Sequence, residues 1–230
     1  MNTHELQAAV VASDSRVIDA IPMSLRKMGI ATTIYRDARS AIQAMALRKL
    51  DAFFVDRELD PELSVLQTMR GERGNRKALG FAIIPREQTA GGAFRVADFL
   101  IDKPLIALRV DQALRAAHGI MLKERMCYFR KSLRTTATLV DSTGQAVLAD
   151  TINISQGGMA VESITTLNPG QVHQIKFRLP ENEKLLTCIG RVIWSDQHGR
   201  AGICFTDFNS SDRGELRPWI EREFNRAMAA

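Results

Sequence analysis

Two stretches of this chain hold side chains of the kinds that grip phosphate and purine. The first, Arg130-Lys131-Ser132-Leu133-Arg134, sets two guanidinium groups four positions apart with a lysine between them, on a segment without apolar periodicity. The second, Asn153-Ile154-Ser155-Gln156-Gly157-Gly158, gathers an amide, a hydroxyl and two adjacent glycines. Arginine presents a rigid planar fork of donors that matches phosphate oxygens or the O6/N7 edge of guanine, and its plane stacks on bases. The Asn153 carbonyl and the Ser155 hydroxyl can accept hydrogen bonds from the N–H groups of a base. A glycine lets the backbone approach a ligand closely, or adopts φ > 0, where a Cβ would clash. Arg130, Lys131, Arg134, Asn153, Ser155, Gly157 and Gly158 therefore form a candidate site for an anionic, purine-bearing ligand.

The elements that would position them are strands. Thr135 to Val140 and Ala146 to Ile154 flank Asp141-Ser142-Thr143-Gly144, a turn signal, and read as a β-hairpin. That geometry predicts that the arginine pair returns against the glycine turn. Further on the period is two: Met159 and Val161 alternate with Ala160 and Glu162, and Ile175, Phe177 and Leu179 with Lys176 and Arg178. Ile189 to Trp194 and Ala201 to Phe205 follow, joined by polar turns. Strands of this kind, about six of them, predict a small antiparallel barrel. Asn209-Ser210-Ser211 then opens a helix whose Leu216, Ile220 and Phe224 form one stripe, expected to pack on the barrel. Trp194 and Trp219 are expected as packing residues, not as base-stacking platforms.

On these residues the segment resembles PilZ domains, the bacterial receptors for cyclic di-GMP. Arg130-x-x-x-Arg134 followed by Asn153-x-Ser155-x-x-Gly158 is similar to the two-part signature of that family, and the strands and C-terminal helix agree as far as Phe224. Either motif alone is also what a solvated arginine pair or an ordinary turn would give. Their order, their separation and the strands after them make the combination specific. The resemblance implies cyclic di-GMP as ligand, with no other cofactor. Arg130 and Arg134 would grip phosphate and guanine, and Asn153, Ser155 and the Gly157-Gly158 turn would hold the remaining guanine contacts. Phe129 stands where a preceding arginine would favour a second intercalated molecule, so one cyclic di-GMP per site is expected. The resemblance further implies a relay between domains or to a protein target that the sequence leaves unknown. Family members without the motifs act as protein adaptors, which is the ligand-independent alternative.

The N-terminal half has a different grammar. Residues 8 to 12 read as a short buried strand and Ser13-Asp14-Ser15 as a helix start. A helix follows from Arg16 to Met28, with Pro22 inside it and Gly29 as its stop. Strand-like Ala31 to Tyr35, an amphipathic helix from Ala38 to Lys49 (Ile42, Met45 and Ala46 on one face) and the buried strand Ala52 to Val55 come next. A helix from Leu63 to Met69 and strands at Gly80 to Ile84 and Phe99 to Ile101 complete the alternation. Continuous apolar strands between helices predict a parallel sheet covered on both faces. The order resembles a flavodoxin-like response-regulator receiver, with Asp56 at the phosphoacceptor position and Lys103, before Pro104, at the phosphate-pairing lysine. The departures are Ala12 and Ser13 where an acidic pair would hold Mg²⁺, Asp14 one step late, and Ile84-Pro85 where a hydroxyl would meet the phosphoryl group. Phosphoryl transfer to Asp56 needs a divalent ion with more than one anionic ligand. A receiver-like domain that has lost phosphorylation is expected, with Asp56 as a strand-end acid; a phosphorylation-driven response regulator is the alternative.

Leu105 to about Met126 predicts one long helix, which could cover the sheet or serve as a homodimer surface. Residues 121 to 134 carry Lys123, Arg125, Arg130, Lys131 and Arg134 against Glu124 alone, a basic strip open to nucleotides, nucleic acid or an acidic protein. The guanine-matching set makes a nucleic-acid partner the lesser expectation. The division that follows is a receiver-like α/β domain at 1–120, a basic linker and ligand clamp at 121–134, and an antiparallel six-stranded PilZ barrel with a C-terminal helix at 135–230.

Composition bounds this reading. The 230 residues suffice for two modest domains, and 45% hydrophobic with 25% charged residues is ordinary for a globular protein. No apolar run approaches a membrane span, and Met1-Asn2-Thr3-His4-Glu5 lacks a basic leader, so a cytoplasmic protein without membrane insertion is expected. Cys127, Cys188 and Cys204 lack disulfide or zinc spacing, with Cys188 and Cys204 expected as buried small hydrophobes. The four histidines form no metal pattern and no catalytic constellation appears, so neither a metal site nor an enzyme is expected.

Overall fold

The structure is a computed structural model that describes residues 5–85, 95–182 and 184–229; Met1–His4, read above for a leader, lies outside them. The chain divides into two compact units, Met1–Arg125 and Met126–Ala230.

In the first unit the apolar runs become parallel strands. The elements are β1 (Leu6–Val11), α1 (Ser15–Lys27), β2 (Ile30–Tyr35), α2 (Ala38–Leu47), β3 (Ala52–Asp56), α3 (Ser64–Gly71), β4 (Leu79–Pro85), β5 (Phe99–Lys103) and α4 (Ala107–Tyr128). The sheet order is β2-β1-β3-β4-β5, all pairings parallel. This is the flavodoxin-like order, in which the carboxyl ends of β1 and β3 flank the topological switch point. Phe53, Phe54, Val55 and Phe81 are wholly buried because helices cover both faces. Asp14 caps α1 by accepting from the Arg16 amide at 2.9 Å, and Gly29, at φ +68°, ends its run-out. The buried face of α2 is Ala41 and Met45, with Ile42 packed beside them, while Ala46 points to solvent.

In the second unit the period-two runs close on themselves. The strands β7 (Thr136–Val140), β8 (Ala146–Ser155), β9 (Gly158–Glu162), β10 (Val172–Arg178), β11 (Leu185–Ser195) and β12 (Arg200–Phe208) pair antiparallel in the order β8-β7-β10-β11-β12-β9. β9 returns to β8, giving a closed six-stranded barrel. A two-residue strand, β6 (Lys131–Ser132), extends the β7 edge by pairing with the far end of β8. Inward positions alternate along each strand: Ala137 and Leu139, Met159 and Val161, Ile175 and Phe177, Leu186 and Cys188. Each large apolar side chain taken wholly out of water contributes roughly 1.5–3 kcal/mol. The helix α5 (Ser210–Ala229) starts where the Asn209 side chain accepts from the Asp212 amide at 2.7 Å, and it buries Leu216, Trp219, Ile220 and Phe224.

Candidate functional site

The β8–β9 turn and the β6 strand bring most of the expected ligand set to one cleft. Lys131 pairs with Ile154 and Ser132 with Asn153, so the residue before β6, Arg130, comes beside the Asn153–Gly158 turn. The cleft, of about 390 Å³, is lined by Cys127, Arg130, Asn153, Ser155, Gly157 and Gly158, and across from them by Ile193, Trp194, Gly202 and Cys204. Arg130 is the charged residue among those lining it, and none is acidic. Its guanidinium donates to the Phe129 and Cys127 carbonyls at 3.1 and 3.4 Å and otherwise faces solvent. The Ser155 hydroxyl donates to the Gly158 carbonyl at 3.0 Å, locking the turn while its lone pairs stay available.

Several expectations change at this point. The arginine pair does not return together: Arg134 lines a neighbouring cleft of about 700 Å³ with Thr135, Asp150, Glu162 and Arg200. Positions four apart would share one face of a regular strand, but β6 covers only Lys131–Ser132, and Arg134 lies beyond it, after the backbone bond from the Leu133 amide to the Ile152 carbonyl. Lys131 is engaged elsewhere, 2.6 Å from Glu223 on α5. Of the two roles read for the glycines, a left-handed backbone is not used, since neither Gly157 nor Gly158 has φ > 0. A Cβ on Gly158 would lie 2.2 Å from the Ile203 carbonyl oxygen, so Gly158 is there for the close approach of β9 to β12. Gly157 has open space at its Cβ position.

Sequence reading missed the far wall. Trp194 is not a packing residue: its side is exposed on the cleft, and its indole lies over Gly202, where a Cβ would come within 2.0 Å of Nε1. A register shift between Val192 and Trp194 in the β11–β12 pairing turns the ring outward. The glycine two residues into β12 was the available signal. Trp219, by contrast, is buried as expected. Cys204 is only half-buried and lines the cleft, whereas Cys188 is buried, which pushes its thiol up to about 12.

The basic strip is also less free than its composition suggests. Arg125 lies 3.3 Å from Asp51 and donates to the Glu5 carbonyl at 3.0 Å, and Lys131 is paired with Glu223.

In the first unit, Asp56 ends β3 almost wholly buried at 1% exposure, with Lys103 Nζ 2.8 Å away. The same ammonium reaches Asp14 at 3.1 Å and also Glu58. Burial works against its charge, but the bonds to Asp56, Glu58 and Asp14 outweigh that and hold Lys103 above its ordinary value. Asp14 is held below the usual carboxylate range by the Arg16 amide and then by Lys103. Glu58 is a third carboxylate that the reading of Asp14 and Asp56 left out. One oxygen of each acid lies within 4.8 Å of the others, a set of hard donors that suits a divalent cation, and Lys103 supplies the positive charge among them. β4 ends Ile84-Pro85 without a hydroxyl at this site.

Residues 124–222, somewhat under half of the chain, match the family model of the PilZ domain. The match falls on the barrel unit and its C-terminal helix, and the unit before it has the flavodoxin-like strand order. No curated protein matches the chain. Among solved structures, the Bacillus subtilis inhibitor of motility is similar at 18% identity and a TM-score of 0.37, over 42% of this chain and 50% of its own. The chain thus spans half the length of that protein. The PilZ domain of CeSA from a cellulose-synthesizing bacterium is similar at 19% identity and a TM-score of 0.35, over 41% of this chain and 97% of its own. The receiver domain of a sensor histidine kinase from Pseudomonas aeruginosa is similar at 18% identity and a TM-score of 0.45, over 50% of this chain and 98% of its own. No helix among the described residues is long and apolar enough to cross a membrane.

Proposed function

We propose that this protein is a cyclic di-GMP receptor that binds the nucleotide at the β8–β9 turn and relays its presence to a protein partner, without catalysing a reaction. The observation that carries this reading is one cleft, free of acidic side chains, that combines Arg130, the Asn153 and Ser155 acceptors and an exposed Trp194 ring. Arg130 would engage phosphate or the guanine edge, Asn153 and Ser155 the guanine N–H groups, and Gly157 the face left open at its Cβ position. Trp194 offers a ring on which a purine can stack. Arg134 starts on the neighbouring side, so its part in binding requires residues 129–134 to reorganise around the ligand. That reorganisation is the proposed signal, and differential affinity for the closed arrangement drives it. The receiver-like unit is proposed as a docking element that has lost phosphorylation, with Lys103 holding its acidic cluster.

Calorimetric titration of the full chain with cyclic di-GMP tests this, beside Arg130→Ala and Arg134→Ala. Micromolar or tighter binding that both variants weaken supports the reading. Absence of heat from the wild type removes it and leaves the ligand-independent adaptor.

A further inference from the structure

The Lys131 ammonium lies 2.6 Å from Glu223, whose side chain is only 8% exposed. The other oxygen of that carboxylate accepts from Arg226 at 2.7 Å. Two residues before Lys131, the buried Phe129 meets Phe224 edge-on, with ring centroids 5.4 Å apart. Through β6, Lys131 and Ser132 pair with Ile154 and Asn153 on the turn-bearing strand. The second half of α5 and the ligand-facing strand thus hold the same four-residue segment from two sides.

We propose that Glu223 is an internal anion that competes with the ligand for Lys131, so that filling the cleft loosens the grip of α5 on residues 129–132. This rests on the cyclic di-GMP reading above. Lys131 does not line the cleft in this arrangement, but it is the neighbour of Arg130, and the reorganisation of residues 129–134 proposed above would carry its ammonium toward a phosphate held there. One ammonium cannot serve Glu223 and an incoming phosphodiester at full strength. Once Lys131 turns away, Glu223 keeps only Arg226, a side chain that is 64% exposed. The bond from Lys131 is the main influence holding the Glu223 carboxyl below its usual range, so that carboxylate gains most from this pairing. Two exclusive pairings of one lysine make a two-state element, and the ligand selects between them. α5 becomes the surface on which occupancy is read.

The competition predicts opposite signs for two substitutions on one helix. Glu223→Gln removes the rival charge, and affinity for cyclic di-GMP rises by roughly threefold to fivefold, the scale of a partly exposed ion pair. Arg226→Met strips Glu223 of its second partner, so the carboxylate holds Lys131 harder and affinity falls by a similar factor. A purely structural role for the pair would weaken both variants. The experiment titrates full-length wild type, Glu223→Gln and Arg226→Met with cyclic di-GMP and follows amide hydrogen exchange with and without it. Faster exchange at 129–132 and in the last turns of α5 is expected in ligand-free Glu223→Gln, and in wild type on binding. Equal affinities in all three proteins, or weaker binding by Glu223→Gln, overturn the competition while leaving the receptor reading intact. A wild type that binds no cyclic di-GMP removes the receptor reading and this inference with it.

Discussion

Lys103 Nζ sits 2.8 Å from Asp56 Oδ2, and that carboxylate is the most buried acid among the described residues of its unit at 1% exposure. The pairing decides what the end of β3 can do. A phosphoryl donor must reach an oxygen already bound by an ammonium, with Ile84-Pro85 in place of a hydroxyl on the neighbouring strand. Incubation with acetyl phosphate and Mg²⁺ is expected to leave the intact mass unchanged. Acid-labile phosphate on Asp56 would restore the phosphorylation-driven alternative.

The same pair makes a stability prediction. Lys103→Met leaves a buried carboxylate with the Glu58 amide at 3.2 Å as its remaining partner, and sets Asp14 and Glu58 against it. Breaking such a pair costs about 3 kcal/mol, near the low end for buried ions because Glu58 is half in water. Urea denaturation of the wild type and the variant measures it, and a midpoint shift near zero would mean that Lys103 is not holding the cluster.

Gly157 and Gly158 are adjacent yet predict different outcomes. A Cβ on Gly158 meets the Ile203 carbonyl oxygen at 2.2 Å, so Gly158→Ala must pry β9 from β12. Overpacking of that kind costs roughly 1–3 kcal/mol. Gly157→Ala has nothing within 4 Å and is expected to leave the denaturation midpoint in place while weakening cyclic di-GMP binding. Equal destabilisation by the two would contradict the assignment of Gly158 to strand packing and Gly157 to the ligand face.

How much of this was legible follows from the range of each signal. The parallel sheet and the barrel were readable because runs such as Ala52 to Val55 and the alternation at Met159 and Val161 are local and periodic. Asp141 and Gly144 marked their hairpin because turn chemistry is also local: Asp141 accepts from the Thr143 amide at 2.8 Å, and Gly144 takes φ +87°. The near wall of the cleft was readable for the same reason, as one turn carries Asn153, Ser155 and both glycines. Trp194 was misjudged because a bulge, which has no periodic signature, turns it outward. Lys131 looked free because Glu223 lies 92 positions further on and only the packing of α5 brings them together. Arg134 looked like a partner of Arg130 because spacing does not reveal which way an extended segment faces.

Trp194 offers a spectroscopic prediction. The chain has two tryptophans, and Trp219 is buried on the inward face of α5, so Trp219→Phe leaves an emission signal from the cleft alone. Cyclic di-GMP is expected to quench that signal in proportion to occupancy. Trp194→Ala should weaken binding by about tenfold or more, since stacking on an aromatic ring contributes roughly 1–3 kcal/mol per base. Unquenched emission at saturating ligand would place the base elsewhere.

His173 lies at the start of β10, 5% exposed, with neither ring nitrogen hydrogen-bonded to any of the described residues. Burial lowers its pKa below the ordinary 6.5, and the Asp141 charge offsets this only in part. The folded barrel therefore keeps the imidazole neutral, while the unfolded chain protonates it near 6.5. Between that value and the lower folded one the unfolded state binds more protons, so stability is full above pH 6.5 and declines as the pH falls. Urea midpoints at pH 7.5 and pH 5.5 should differ for the wild type, with the lower one in acid. In His173→Leu the gap should narrow, whatever the substitution does to absolute stability. A gap of the same size in both proteins would assign the acid sensitivity to other groups and leave His173 as an inert part of the barrel core.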